Sequence, residues 1–210
     1  IVCSNAGQVL LHSETGDSGL FTATPSGGNI YFLSGDDMIV NSNQNDTDVT
    51  LNSGCFLYSR NPSGSAGLLR IRNEDTTIDK AVIIAERRLI VENGADITDS
   101  TLYVDYAGTD TYNFLHITDT GTTVSGAVIS RGRTTQSLQV NSNAAVTGLV
   151  YQYGSADKGS AEVNGKSTIT GCLLARQFTS SALGPATITY DLSAVLANLP
   201  PGFSGAIAES

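Results

Sequence analysis

One short unit recurs along this chain, and it limits the fold more than any other feature. It reads apolar, polar, Val or Ile, a polar residue, two turn-formers, a small residue, a polar residue, then Val or Ile and Thr. Three copies align without gaps: Leu89-x-Val91 to Ile97-Thr98, Leu138-x-Val140 to Val146-Thr147, and Ala161-x-Val163 to Ile169-Thr170. Leu69-x-Ile71 to Ile78 and Leu115-x-Ile117 to Val124 repeat it with one extra residue, and a looser copy runs from Met38-x-Val40 to Val49. Its central position recurs 23 residues apart from Ile117 to Val140 and again to Val163; the earlier gaps, starting at Val40, are 31, 20 and 26. A period near 20 to 25 residues with variable insertions belongs to a solenoid whose turns differ in loop length.

The alternation Leu-x-Val puts two side chains inward and one outward. Asn141-Ser142-Asn143 and Asn164-Gly165-Lys166 supply the bend, since Asn and Gly tolerate left-handed backbone angles. After the Thr-Gly or Ser-Gly step a more apolar strand begins, as at Ala127-Val128-Ile129 and Leu149-Val150-Tyr151. One turn cannot bury such a face alone, whereas stacked turns bury it against each other. The expectation is an all-β chain, a right-handed parallel β-solenoid (β-helix) of about six or seven turns. A β-sandwich would also use short strands, but it does not require one unit three times over.

Three regions follow: 1–28 as an N-terminal arm or cap outside the repeat, 29–190 as the solenoid, and 191–210 as a helical cap and tail. Leu192, Val195, Leu196 and Leu199 fall on one helical face, with Asp191 as N-cap and Pro200-Pro201 as the stop. A short helix there is expected to cap the last turn. In the arm, Val9-Leu10-Leu11 is an apolar stretch suited to pairing with a neighbour's edge strand.

Charged residues make up 15% of the chain, and 11 Lys and Arg against 20 Asp and Glu leave a net charge of −9. That balance argues against nucleic acid and anionic membrane as partners. No apolar run is long enough to span a bilayer. Ile1-Val2-Cys3 reads as the start of a processed, secreted chain.

A resemblance lies in the second half. Thr147-Gly148-Leu149-Val150-Tyr151, the run from Val163 to Ala175, Ile188-Thr189-Tyr190-Asp191 and Leu196-Ala197-Asn198-Leu199-Pro200-Pro201-Gly202-Phe203 together resemble the C-terminal region of PilX-like, minor-pilin-associated proteins of type IV pilus assembly. More loosely, the stretch is similar to the polymer-forming bactofilin type of solenoid. The resemblance covers about residues 120 to 203. It implies a bacterial cell-envelope or extracellular protein associated with pili, with no catalytic residues to carry over. Pilin-like proteins begin with a long apolar helix, and this sequence has none.

The residues themselves offer little chemistry. Asp36-Asp37 and Asp46-Thr47-Asp48 are the densest acidic stretches and read as turns, with Asp46 and Asp48 a weak calcium candidate lacking the Gly and distal Glu of an EF-hand loop. Asn45-Asp46-Thr47 fits the N-glycosylation acceptor pattern, which carries no meaning in most bacterial proteins. His12 and His116 with three Cys give no zinc spacing, and His116 is expected at an outward, exposed strand position. No cofactor is implied. Arg70 and Arg72 are expected to form a charge ladder with acids of a neighbouring turn such as Glu92. Tyr103, Tyr106, Tyr112, Tyr151 and Tyr153 gather on two segments and suit a contact surface for protein or glycan. Cys55 and Cys172, each after a Gly, are expected to point inward about five turns apart, too far to bond. Cys3 and Cys55 are the disulfide candidate, with Cys172 left as a buried thiol.

The functional expectation is an extracellular structural or adhesive protein, a pilus-associated minor subunit or filament protomer, with itself or other filament subunits as partners. The alternative is a carbohydrate-active β-helix enzyme, a polysaccharide lyase or hydrolase. Val140→Asp and Val163→Asp should each unfold the chain or make it insoluble, because each drives an unpaired charge into the stack. Gln139→Asp and Glu162→Lys, at outward positions, are expected to be tolerated. Soluble yield and circular dichroism check both pairs.

Overall fold

A computed structural model describes residues 1–5, 7–12, 19–41, 47–60, 67–106, 114–132, 137–154, 159–180 and 184–200. It is a parallel β-solenoid with three strands to a turn. The first turn holds β1 (Val2–Ser4), β2 (Val9–Leu11) and β3 (Gly19–Ala23), and the second β4 (Ile30–Ser34), β5 (Met38–Val40) and β6 (Thr47–Leu51). The third holds β7 (Cys55–Ser59), β8 (Leu68–Arg72) and β9 (Thr76–Asp79), followed by β10 (Val82–Ala85) and β11 (Arg88–Glu92). From there a long strand bends to serve two sides of the coil in succession: β12 (Asp96–Val104), β14 (Thr123–Ser130), β16 (Ala145–Gln152) and β18 (Thr168–Ala175). Between them lie β13 (Leu115–Ile117), β15 (Leu138–Val140) and β17 (Ala161–Val163), and the coil ends with β19 (Phe178–Thr179), β20 (Thr187–Tyr190) and helix α1 (Leu192–Ala197).

Among the described residues every strand pairing is parallel, and each strand pairs with its counterpart in the next turn. From β2 to β19 the second side stacks eight strands, so the chain makes seven turns between them and extends about 34 Å at ~4.8 Å per strand. Val40, Ile71, Val91, Ile117, Val140 and Val163, the recurring positions of the repeat, stand directly above one another on this side.

Beside that column, three more inward ladders build the core. Val9, Met38, Leu69, Leu89, Leu115, Leu138 and Ala161 climb the second side. Ala23, Leu51, Ile78, Ile97, Val124, Val146 and Ile169 climb the third, and Phe32, Leu57, Ile83, Leu102, Val128 and Val150 the first. All of these side chains are buried. Each large aliphatic among them contributes roughly 1.5–3 kcal/mol by leaving water, a gain that exists only when the next turn is in place.

The corners decide whether turns can stack. Between the second and third sides, Asn41, Asn73, Asn93, Asp119, Ser142 and Lys166 hold positive φ, and Ala95, Ala144 and Ser167 sit buried just after the bend. This matches the expected role of the Asn-containing step. Between the first and second sides, Ser34, Ser59, Ser130 and Gln152 occupy one inward column. All four are buried and donate to backbone carbonyls, of Asp37, Asp36, Ser137 and Gly132 respectively, while the Gln152 Oε1 is left without a hydrogen-bond partner. Between the third and first sides, Gly126, Gly148 and Gly171 stack on each other with φ of +137°, +124° and +137°. One turn earlier, Ser100 takes that place, and an extra residue, Asp99, makes the bend as a bulge.

The N-terminal residues 1–28, expected as an arm or cap, contain β1, β2 and β3, which pair in register with β4, β5 and β6 as the coil's first turn. Helix α1 forms where expected, its N-cap Asp191 accepting from the Ala194 N–H at 3.1 Å. It packs against β16 and β18 rather than across the end of the stack, and Asn198 reaches Gly148. Pro201, Gly202 and Phe203 lie outside the described residues.

A Cβ on Gly148 would stand 2.2 Å from the Gly126 carbonyl oxygen, whereas one on Gly27, also at positive φ (+83°), would meet nothing within 4 Å. Gly148→Ala should cost about 3 kcal/mol or more, and Gly27→Ala about 1 kcal/mol. Urea denaturation compares them, and equal losses would show that backbone angle alone, not close stacking, requires glycine.

Candidate protein-contact surfaces

The outward side of the first sheet carries a surface that a coil does not need for its own folding. Its strands are apolar on both faces, so the residues between the inward ladder form a second ladder facing out. In register it runs Cys3, Leu33, Tyr58, Ile84, Tyr103, Ile129, Tyr151, Leu174. Beside it runs Tyr31, Phe56, Val82, Thr101, Ala127, Leu149, Cys172. Leu33 to Ile129 are half-buried by their neighbours, and Tyr151 and Leu174 are exposed. Helix α1 packs against β16 and β18 near Gly148 and leaves Tyr151 and Leu174 exposed.

Hydrogen bonds fix several of its rings. Tyr103 and Tyr153 share an O–H···O bond of 2.9 Å, and Tyr153 stacks on Tyr151 with centroids 5.1 Å apart. Tyr58 donates to Glu86; burial first, and then that bond, push its phenol up to about 12. Tyr106 is not part of the surface: it is buried and stacked on Phe114 at 4.5 Å, because it lies where the chain turns the corner into the core. Tyr112 lies outside the described residues. Of Val9-Leu10-Leu11 only Leu10 faces out, since strand alternation sends Val9 and Leu11 into the core.

The second side presents a different outer surface. Arg70 and Arg72 both reach Glu92 Oε1, at 3.3 and 3.0 Å, forming the expected charge ladder. Further along, Ile90, His116, Gln139 and Glu162 stand in one column. Gln139 and Glu162 were expected in solvent, and instead are only 5% and 8% exposed. The Gln139 amide donates to Glu162 Oε2 at 2.6 Å, Asn164 donates to Oε1, and Asn141 donates to Gln139 Oε1 at 3.3 Å. Gln139→Asp and Glu162→Lys would break this network, so tolerance is no longer expected. Asn141 also sits 3.2 Å from His116 Nε2. His116 is therefore largely enclosed: burial first, then Arg88, lower its pKa, while Asp119, Glu92 and Glu162 oppose the shift.

Glu92 and Glu162 are three strands apart, about 14 Å at strand spacing, beyond the roughly 5–9.5 Å of a glycosidase pair. Asp37 Oδ1 accepts from the Gly67 and Leu68 N–H groups at 3.1 and 2.8 Å, tying one turn to the next. Asp48 is exposed on β6. Asp46, with Asn45, lies outside the described residues. Among the described residues, no three His, Cys, Asp or Glu gather as a metal site, and no helix is long and apolar enough to cross a membrane.

The cysteines correct the expected alignment. Cys3 faces out and Cys55 is buried, and they are not bonded. Cys3 aligns through Leu33 with Tyr58, three residues beyond Cys55 and two turns away, which puts the pair about 14 Å apart against the ~7 Å limit. Cys172 aligns through Leu149, Ala127, Thr101 and Val82 with Phe56, so Cys55 shares its ladder with Gly171 instead. That one-residue slip turns Cys172 outward and leaves it half-buried rather than buried.

His116 binds a proton less readily in the folded chain than in the unfolded one. The stability this contributes is full above about pH 6.5 and is lost as pH falls through the lower folded value. His116→Gln should therefore lose less Tm than the native chain between about pH 6.5 and 5. Parallel losses in the two proteins would remove His116 from the acid sensitivity.

No family model matches this chain, and no curated protein or solved structure is similar enough to count as a match.

Proposed function

We propose that this protein is a structural component of a cell-surface or extracellular filament, and that it works through protein–protein contacts. A pilus-associated minor subunit or a protomer of a self-assembling fibre both fit the reading. The observation that carries it is the outward apolar and aromatic ladder from Leu33 to Tyr151 along the first side. Contiguous apolar surface of this kind on a soluble chain marks an interaction site, and Tyr is prominent in such contacts. Tyr151 and Tyr153 already stack on each other, which leaves less ring face for a sugar and favours a protein partner over a glycan. The acidic balance of −9 suits an exposed extracellular surface. The resemblance of residues 120 to 203 to pilus-assembly proteins points the same way.

Sedimentation and electron microscopy at raised concentration test the proposal. The native chain should associate, and Ile84→Lys with Tyr103→Lys should reduce that association at least about tenfold, or ~1.4 kcal/mol, with an unchanged β-rich dichroism spectrum. Association unaffected by two lysines in the ladder would remove the first side from the contact, and a chain that stays monomeric, or depolymerisation of a polysaccharide by the native chain, would sink the proposal.

A further inference from the structure

The last turn of the coil leaves its interior open. Leu173, Ala175, Phe178 and Ile188 continue the inward ladders of Val150, Gln152, Ala161 and Ile169, yet Phe178 and Ile188 are 47% and 43% exposed. With Gly171, Cys172 and Tyr190 they line a groove of about 330 Å³. Among the described residues, β19 and β20 each have a strand partner on one side only, and Cys172–Ala175 of β18 pair only with β16. The first turn is the counterpart: among the described residues, β1, β2 and β3 each pair on one side only.

We infer that a second copy of this chain docks head to tail, its first turn seated on the last turn of the copy before it. This rests on the reading of the protein as a filament subunit and adds the register of its contact. Continuing each ladder by one step sets Val2 of the incoming copy on Leu173, Val9 on Phe178 and Ala23 on Ile188. Small residues thus meet the large exposed ones, and Phe21, which packs on the core two residues before Ala23, falls over Ala186. In this register the strands overlap over about seven residue pairs, within the roughly 5–15 hydrogen bonds of a typical interface. Because the two surfaces differ, the contact does not close on itself and generates an open filament.

The register makes a covalent prediction. Cys3 of one copy would lie beside Leu174 of the next, both outward, with Cα atoms ~4.8 Å apart, inside the roughly 4.4–6.8 Å range of a disulfide. Leu174 is 50% exposed, so Leu174→Cys should leave the fold intact, which circular dichroism verifies. The variant is made with Cys172→Ser, since Cys172 lies two residues away on the same surface. Under mild oxidation with diamide it should form a ladder of dimers, trimers and longer species. Tyr151→Cys in the same background, one turn further back, should stay monomeric on a non-reducing gel. Equal cross-linking of the two variants overturns the inference, as do dimers joined only like to like, Cys3 to Cys3. Sedimentation of the same samples separates the two levels. Association without cross-linking at Leu174→Cys overturns this register and leaves the structural reading standing, whereas a monomer at every concentration overturns both.

Discussion

The hydrogen-bonded stacking of one turn on the next, at a spacing near 4.8 Å that no side chain can alter, governs the rest of the molecule. A residue in this coil lies above and below its own counterparts, so a position is acceptable only if its occupant can stack on copies of itself. Branched aliphatics do so along the straight sides. At corners the backbones approach more closely, and the choice narrows to Gly, to residues tolerant of positive φ, and to short side chains that bond locally. The Gly126–Gly148–Gly171 column shows the limit, since any Cβ there meets the backbone oxygen of the turn before. Ser34, Ser59 and Ser130 show the other solution: a polar residue enters the core because a carbonyl at the turning backbone needs a donor.

That constraint also explains what the sequence reveals. The repeat is legible because stacking forces like residues into like places, and Val40 to Val163 occupy one ladder as their spacing predicts. The first turn is harder to see. Val9-Leu10-Leu11 is a three-residue strand, and 29 residues separate Val9 from Met38, its partner in register. Alternation gives the side to which a residue points but not what shelters it, so buried Gln139 and Glu162 look like surface residues. The cysteines fail for a related reason. Gly54 and Gly171 both precede a Cys, but they stand one position apart on the ladder, and a slip of one reverses every side chain.

The three outer surfaces differ in ways the core does not demand. The second side spends its outward positions on a connected polar array, from the Arg70–Arg72–Glu92 cluster to the Gln139–Glu162–Asn164 bonds. Such an array fixes register, because the Arg70–Glu92, Arg72–Glu92 and Gln139–Glu162 contacts join residues from neighbouring turns and a shifted strand would leave buried groups unpaired. The first side spends the same positions on Leu, Ile and Tyr. With register already held elsewhere, this apolar ladder contributes little that the inward ladders do not.

Placement of charge bears on which surfaces can meet. A net charge of −9 opposes the approach of two copies at long range, with the repulsion screened within about 8–10 Å at physiological salt. Contact must therefore be made where acids are sparse. The outward ladder from Leu33 to Tyr151 contains no ionisable carboxylate, and neither do β1, β2 and β3 at one end or β19 and β20 at the other. Asp79, Asp96, Asp99 and Asp119 instead occupy the third side and its corners, where Lys80 bridges Asp79 and Asp99 at 3.3 and 3.8 Å. Among the described residues, the strand segments of both ends and of the first side carry no acid, so those surfaces can come together without burying an unpaired charge of their own strands.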